Sequence, residues 1–198
     1  RPRKGKHPVS HEMRMDIIWW QRFAPNFHGI SQIPNNIWGE PDTFISCDAT
    51  LTACGGWSGF NEFFRESFPA TILQKNWHIS ALEMIILTAT VKLWIAQCQS
   101  RRLQIFSDNL STVIAVNTGK ARDPVLSACL RELTYIMATH NCELKVRHIS
   151  TKDNKIADLL SRWHENEQNK VLFRQLTSNK KSKRVRVQKC YFTKFFEW

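Results

Sequence analysis

The sequence predicts a mixed α/β domain built in layers, and three observations carry that expectation. Residues 43–68 hold short apolar, β-branched and aromatic runs interrupted by Gly55, Gly56 and Asn61, the pattern of consecutive short strands. Residues 78–99 are apolar on most helical faces and too long for a strand, so they form a buried helix. Strand-like and helix-like segments then alternate as far as residue 163. The resulting order, βββ-α-β-α-α-β-α, packs as helices against a sheet.

Each element has its own local reason. The run HEMRMDIIWWQRF, His11 to Phe23, spaces its apolar residues helically. Residues 24–42 carry Pro25, Gly29, Pro34, Gly39 and Pro41 and form an irregular connector. Thr43–Thr50 is the first strand, GGWSGF holds the second, and Asn61–Phe68 gives a third after a turn. In the long helix His78–Gln99, Ser80 is the expected N-cap, with Glu83 at capping-box spacing. Arg102–Ser107 is a short buried strand ending at Asp108. Ser111–Asn117 is a helix closed by Thr118 and Gly119, and Asp123-Pro124 opens another through about Thr139. Glu143–Ile149 alternates as a strand, and the polar turn STKDN leads to a helix over 155–163.

Charge divides the chain into a 1–42 arm, helix and connector, a 43–165 domain, and a 166–198 tail. The formal net charge is +11. Residues 1–14 hold five Lys/Arg against one acid, and 170–198 hold nine against one. Residues 15–169, with 14 basic and 15 acidic, are near neutral. Basic extensions of this kind suit a polyanion such as nucleic acid; a solvated tail or a localisation signal around Lys180–Arg186 is the other reading. No apolar run is expected to approach the roughly 20 residues that cross a bilayer, and mean hydropathy is -0.37. Residue 1 is Arg and no signal peptide follows, so the chain reads as a segment of a longer, intracellular polypeptide, cytoplasmic or nuclear. The six cysteines form no CxxC pair, and a reduced setting fits them better than a disulfide framework.

Four acids stand where the pattern asks for buried or half-buried residues: Asp48 after FISC, Glu83 in the apolar helix, Asp108 after IFS, and Asp158 within IADLL. Desolvating a carboxylate is costly without a positive partner, and no Lys or Arg is adjacent to the first three. A divalent cation, Mg²⁺ or Mn²⁺, would compensate them. An acid at a strand end can instead cap the next helix, as Asp108 could. No Gly-rich phosphate loop, GxSxG elbow or Cys–His nucleophile pair is present.

The ordered set FISCDAT, GGWSG, HISALEM, IFSDNLS and VRHISTKDNKIADLLSRW resembles the ribonuclease H domain of reverse transcriptases, and within that family the DIRS-type retrotransposons. The resemblance covers about residues 12–165. It implies a ribonuclease H-like fold, a five-stranded mixed sheet flanked by helices with its first three strands antiparallel, and with basic N- and C-terminal extensions here. It implies that Asp48, Glu83, Asp108 and Asp158 converge on two Mg²⁺ or Mn²⁺ ions. Asp48 would bridge both, Glu83 and Asp108 would hold one with it, and Asp158 would complete the other. His148, ten residues before Asp158, would shuttle protons or assist product release; Asn109 and Asn154 would be substrate or structural contacts.

The implied activity is two-metal hydrolysis of the RNA strand of an RNA–DNA hybrid, with selectivity through the 2′-hydroxyl and duplex shape. The implied partner besides hybrid is a polymerase portion of the same polyprotein, and the interleaved basic–aromatic end, VRVQKCYFTKFFEW, could stack on single-stranded nucleic acid or be a frayed domain edge. An inactive nucleic-acid-binding remnant of such a domain is the alternative, and a DNA-acting nuclease or integrase of the same superfamily is a third. The chain departs from related retroelements in placing Ser150-Thr151 where they carry Pro-Gly after the histidine. Nor does it have a concentrated basic handle between Asp108 and Asp158. Grip on substrate would then fall to the extensions or to the polymerase portion. The tail shows no Arg-His-Arg-Tyr set of a tyrosine recombinase.

Overall fold

The computed structural model describes residues 8–27, 38–98 and 101–193. The basic residues of 1–7, most of the connector and the aromatic end at 194–198 lie outside the described residues. In chain order the elements are α1 (His11–Phe23), β1 (Thr43–Ala49), β2 (Ala53–Ser58), β3 (Glu62–Ser67), α2 (Ala70–Leu73), α3 (Ile79–Trp94), β4 (Arg102–Ser107), α4 (Leu110–Thr118), α5 (Pro124–His140), β5 (Glu143–His148), α6 (Lys155–Ser161), α7 (Glu167–Leu176) and β6 (Lys183–Arg184).

The sheet is mixed and has six strands in the order β5-β4-β1-β2-β3-β6. β1, β2 and β3 form the antiparallel set, while β4 runs parallel to β1 and β5 parallel to β4. The α/β expectation holds, with one strand more than the five expected. The sixth, β6, comes from the basic tail and pairs parallel with β3 over two residues. Two polar residues give no period-2 signal, so nothing in the sequence marked that strand.

Helices cover both faces. On one, Ile45, Cys47, Cys54 and Phe64 meet α3, behind which α4 and α5 pack in the main core. On the other, Trp57, Leu159, Leu160, Trp163 and Phe173 join α6 and α7 to the sheet. A third small cluster seats α1 on α5 through Trp19, Phe23 and Ala138, with an Asp16–Arg131 ion pair beside it.

Close approach of α6 to the sheet requires a glycine. A Cβ on Gly55 would lie 2.4 Å from Leu160 Cβ and 2.6 Å from the Ser161 backbone nitrogen, well inside van der Waals contact. Gly119, at φ 65°, closes α4 in the left-handed region as its residue type allows. Asp123 caps α5 through the Val125 and Leu126 amides, as the Asp-Pro pair predicted.

Two expectations are corrected. The segment Ile79–Cys98 is long and apolar enough to cross a membrane by length and composition, with a mean hydropathy of 1.7 over its best window. However, 72% of that window is buried inside the protein, where it serves as the central core helix. The cap of α3 is also not Ser80: the His78 ring accepts from the Ala81 amide at 3.3 Å, and His78 meets Asp123 at 3.2 Å. This frees Glu83 from a capping-box role. All six cysteines are free, five of them buried, where a thiol packs as a small hydrophobe.

Candidate metal centre

Three of the four singled-out acids converge. β1 is the central strand, paired on both sides, and Asp48 near its end is 5% exposed. Glu83 projects from α3 and is 4% exposed. Asp108 follows the last residue of β4, which lies parallel to β1, and is half-buried. One carboxylate oxygen from each of Asp48, Glu83 and Asp108 lies within 4.8 Å of the others, a spacing that could hold a metal ion. Parallel neighbouring strands that end together bring two of these ligands side by side, and α3 delivers the third.

Each carboxylate is anchored by one hydrogen bond and left open elsewhere. Glu83 Oε1 accepts from the Ala49 amide at 3.0 Å, while its Oε2 is buried with no hydrogen-bond partner. Asp48 accepts from the Ser161 hydroxyl, which in turn lies 2.9 Å from the Asp158 carbonyl. Asp108 Oδ2 accepts from Thr151 Oγ1 at 2.7 Å, leaving lone pairs available, since an ionised carboxylate has about four acceptor sites.

The electrostatics are those of crowded, desolvated anions. Burial, opposed by the Ser161 hydroxyl and aided by the charges of Asp108 and Asp158, pushes the Asp48 carboxyl up to about 7. Burial and then the Asp48 charge raise Glu83 well above the usual carboxylate range. Cys47 is raised by burial and by the same acids. Two buried carboxylates in this state with Asp108 beside them, and Glu83 Oε2 meeting no donor among the described residues, fit a hard divalent cation bound through oxygen. The cation's charge would reverse each of these shifts.

The other predicted residues take different places. Asp158, in the first turn of α6, is near enough for its charge to act on Asp48 but lies outside the close triad. Its Oδ1 accepts from Arg162 Nε at 2.7 Å, an i,i+4 ion pair. His148 ends β5, exposed, with Nε2 3.2 Å from the Asp108 carbonyl. Asn109, rather than Asp108, caps α4: its Oδ1 accepts from the Thr112 amide at 3.0 Å, and its amide donates to Ser80 Oγ. Asn154 is buried and donates to the Cys47 carbonyl at 3.0 Å, pinning the start of α6 to β1.

Sequence reasoning missed Thr151, Ser161 and Arg162. The i,i+4 spacing of Asp158 and Arg162 was a readable signal. The hydroxyls were not, because their partners are 43 and 113 residues away. Thr151 is aimed by its own turn: Ser150 Oγ donates to Asp153 Oδ2 at 2.7 Å and the Asp153 and Asn154 amides return to Ser150. No family model matches the chain, and no curated protein matches it.

Proposed function

We propose that the chain is a divalent-metal ribonuclease H domain that hydrolyses the RNA strand of RNA–DNA hybrids, as part of a retrotransposon reverse transcriptase of DIRS type. The observation that carries this reading is the convergence of Asp48, Glu83 and Asp108 within 4.8 Å, beside Asp158, on a mixed sheet whose central strand bears Asp48. The sheet order and the helices on both faces are compatible with a ribonuclease H-like fold.

Asp48, Glu83 and Asp108 would hold the cation, Mg²⁺ or Mn²⁺, and Asp158 would join a second ion after exchanging Arg162 for it. Bound there, such ions lower the pKa of water and neutralise charge gathering on a phosphate. The protein's own contribution is placement. Ala49, Ser161 and Thr151 hold one oxygen of each acid, so the free oxygens keep their direction when substrate arrives. His148, exposed beside Asp108, is positioned to exchange protons with solvent.

A second reading, an inactive nucleic-acid-binding remnant, draws on the Arg162–Asp158 ion pair, which occupies the fourth acid. Partners under either reading are RNA–DNA hybrid, nucleic acid held through the basic extensions, and a polymerase portion of the same polyprotein, in a reduced intracellular setting. The separating experiment is cleavage of end-labelled hybrid in Mg²⁺ and in Mn²⁺. RNA-strand products with 5′-phosphate ends, lost in Asp48→Asn and Asp108→Asn, support the enzyme. A folded wild-type protein that binds hybrid and cuts nothing in either metal supports the remnant.

A further inference from the structure

The C-terminal segment is not a solvated tail. Residues 178–193 contain Lys180, Lys181, Lys183, Arg184, Arg186 and Lys189 and no acid, and all six cations are exposed. Yet Val187 and Phe192 are buried in the main core, Phe192 edge-on to Phe68 with ring centres 5.8 Å apart. Two core anchors and a strand pairing therefore fix a row of like charges on the sheet edge. Among the described residues one carboxylate relieves them, Glu66, 3.4 Å from Arg184.

The adjacent strand extends the row. Arg65 pairs across β2 with Gly55, which pairs with Asp48. Its guanidinium stacks 4.1 Å from the Trp163 ring centre, its Nε is buried with no hydrogen-bond partner among the described residues, and Arg184 donates to its carbonyl at 3.2 Å. Holding these guanidinium and ammonium groups together costs repulsion that a polyanion would relieve.

We infer that the β3–β6 edge binds the sugar–phosphate backbone of duplex nucleic acid. Few ring faces here are free for bases: Trp57, Trp163, Phe173 and Phe192 are buried, Phe63 and Tyr191 are half-buried against the clusters, and Lys180 and Arg65 lie over Trp57 and Trp163. What the edge presents is fixed positive charge, which reads phosphates without reading sequence, rather than the stacking platforms that hold single strands. Of the run VRVQKCYFTKFFEW, expected to stack on single strands, residues 194–198 lie outside the described residues, and in the described part Phe192 is buried and Tyr191 half-buried. Two strand spacings, about 10 Å, separate the backbones of Arg65 and Asp48, so one duplex can cover the edge and the acids. That shared placement rests on the ribonuclease H reading; the binding itself does not.

The test uses the full chain in metal-free buffer with EDTA, and fluorescence anisotropy of a labelled RNA–DNA hybrid between about 50 and 200 mM salt. Lys181→Gln, Lys183→Gln and Arg186→Gln are combined, three exposed side chains with no hydrogen-bond or ion-pair partner among the described residues. The expected result is at least tenfold weaker binding at mid-range salt, with the log–log salt slope reduced by about two to three and an unchanged melting temperature. Unchanged affinity and slope would overturn the inference, as would equal or tighter binding of single-stranded RNA of the same length. Loss of binding by the triple variant, alongside a wild type that cuts nothing, upholds this edge and removes the hydrolase reading. Wild-type cleavage with a triple variant that binds normally does the reverse.

Discussion

Asp48 shows at single-residue scale how a buried charge signals its missing partner. Its folded pKa of about 7 lies above its ordinary value of 3.8. For such a raised group, the stabilising contribution is full below about pH 4 and is lost as pH rises through 7. Without metal, the wild type should therefore lose stability between pH 4 and 8, by on the order of 4 kcal/mol at most from this group. Asp48→Asn should flatten that slope in urea denaturation across the range; an unchanged slope would mean the carboxylate is not held in this state. Thr151 is the companion case on Asp108. Thr151→Val should weaken Mn²⁺ binding about tenfold, the scale of lost outer-shell support, and Thr151→Ser should restore it. Equal affinities in calorimetric titration of all three would show that the 2.7 Å hydrogen bond has no part in the site. At this scale the sequence was legible for the acids, because each interrupts an apolar pattern. It was silent on Thr151 and Ser161, because a hydroxyl's partner is set by tertiary approach.

Among the elements, α6 and the C-terminal segment carry the clearest consequences. α6 sits against Gly55 closely enough that any Cβ collides with its backbone, and Ser161, at the end of α6, reaches Asp48. Gly55→Ala should lift the helix, cost about 1–3 kcal/mol in overpacking and weaken Mn²⁺ binding through Ser161. A variant with wild-type stability and affinity would contradict this account of the α6–sheet contact. Phe192, 1% exposed, anchors the tail. Phe192→Ala should cost about 3–5 kcal/mol and speed hydrogen exchange at Val185, whose amide donates to the Phe63 carbonyl. The long periodic elements, α1, α3 and α5, were legible in the sequence within a few residues, since a 3.6-residue apolar period survives any tertiary context. α2, α7 and β6 were not. α7 is mostly polar, and its burial rests on Phe173 against Trp57 and Trp163, contacts no local pattern encodes.

For the whole molecule, sheet order and charge distribution work together. Placing β1 between β4 and β2 brings Asp48 beside Asp108 on one side. Adding β6 beyond β3 puts the unneutralised cations at the opposite edge of the sheet from β5. The α/β class was foreseeable from the alternation of strand and helix patterns, whereas the gathering of the acids, close for three of the four, was foreseeable only through the family resemblance. The sixth strand was not, because a basic stretch with sparse apolar anchors reads as a solvated tail until the core that receives Val187 and Phe192 is known. If the acids form a cation site, Mg²⁺ or Mn²⁺ should raise the melting temperature more at pH 8, where Asp48 is ionised, than at pH 5, where a proton occupies it. The most direct single measurement is Mn²⁺ binding by electron paramagnetic resonance at pH 8, in wild type and Asp48→Asn. The account predicts saturable binding by the wild type that Asp48→Asn weakens by tenfold or more. Absence of bound Mn²⁺ in the folded wild type, or equal binding by the two proteins, would contradict it.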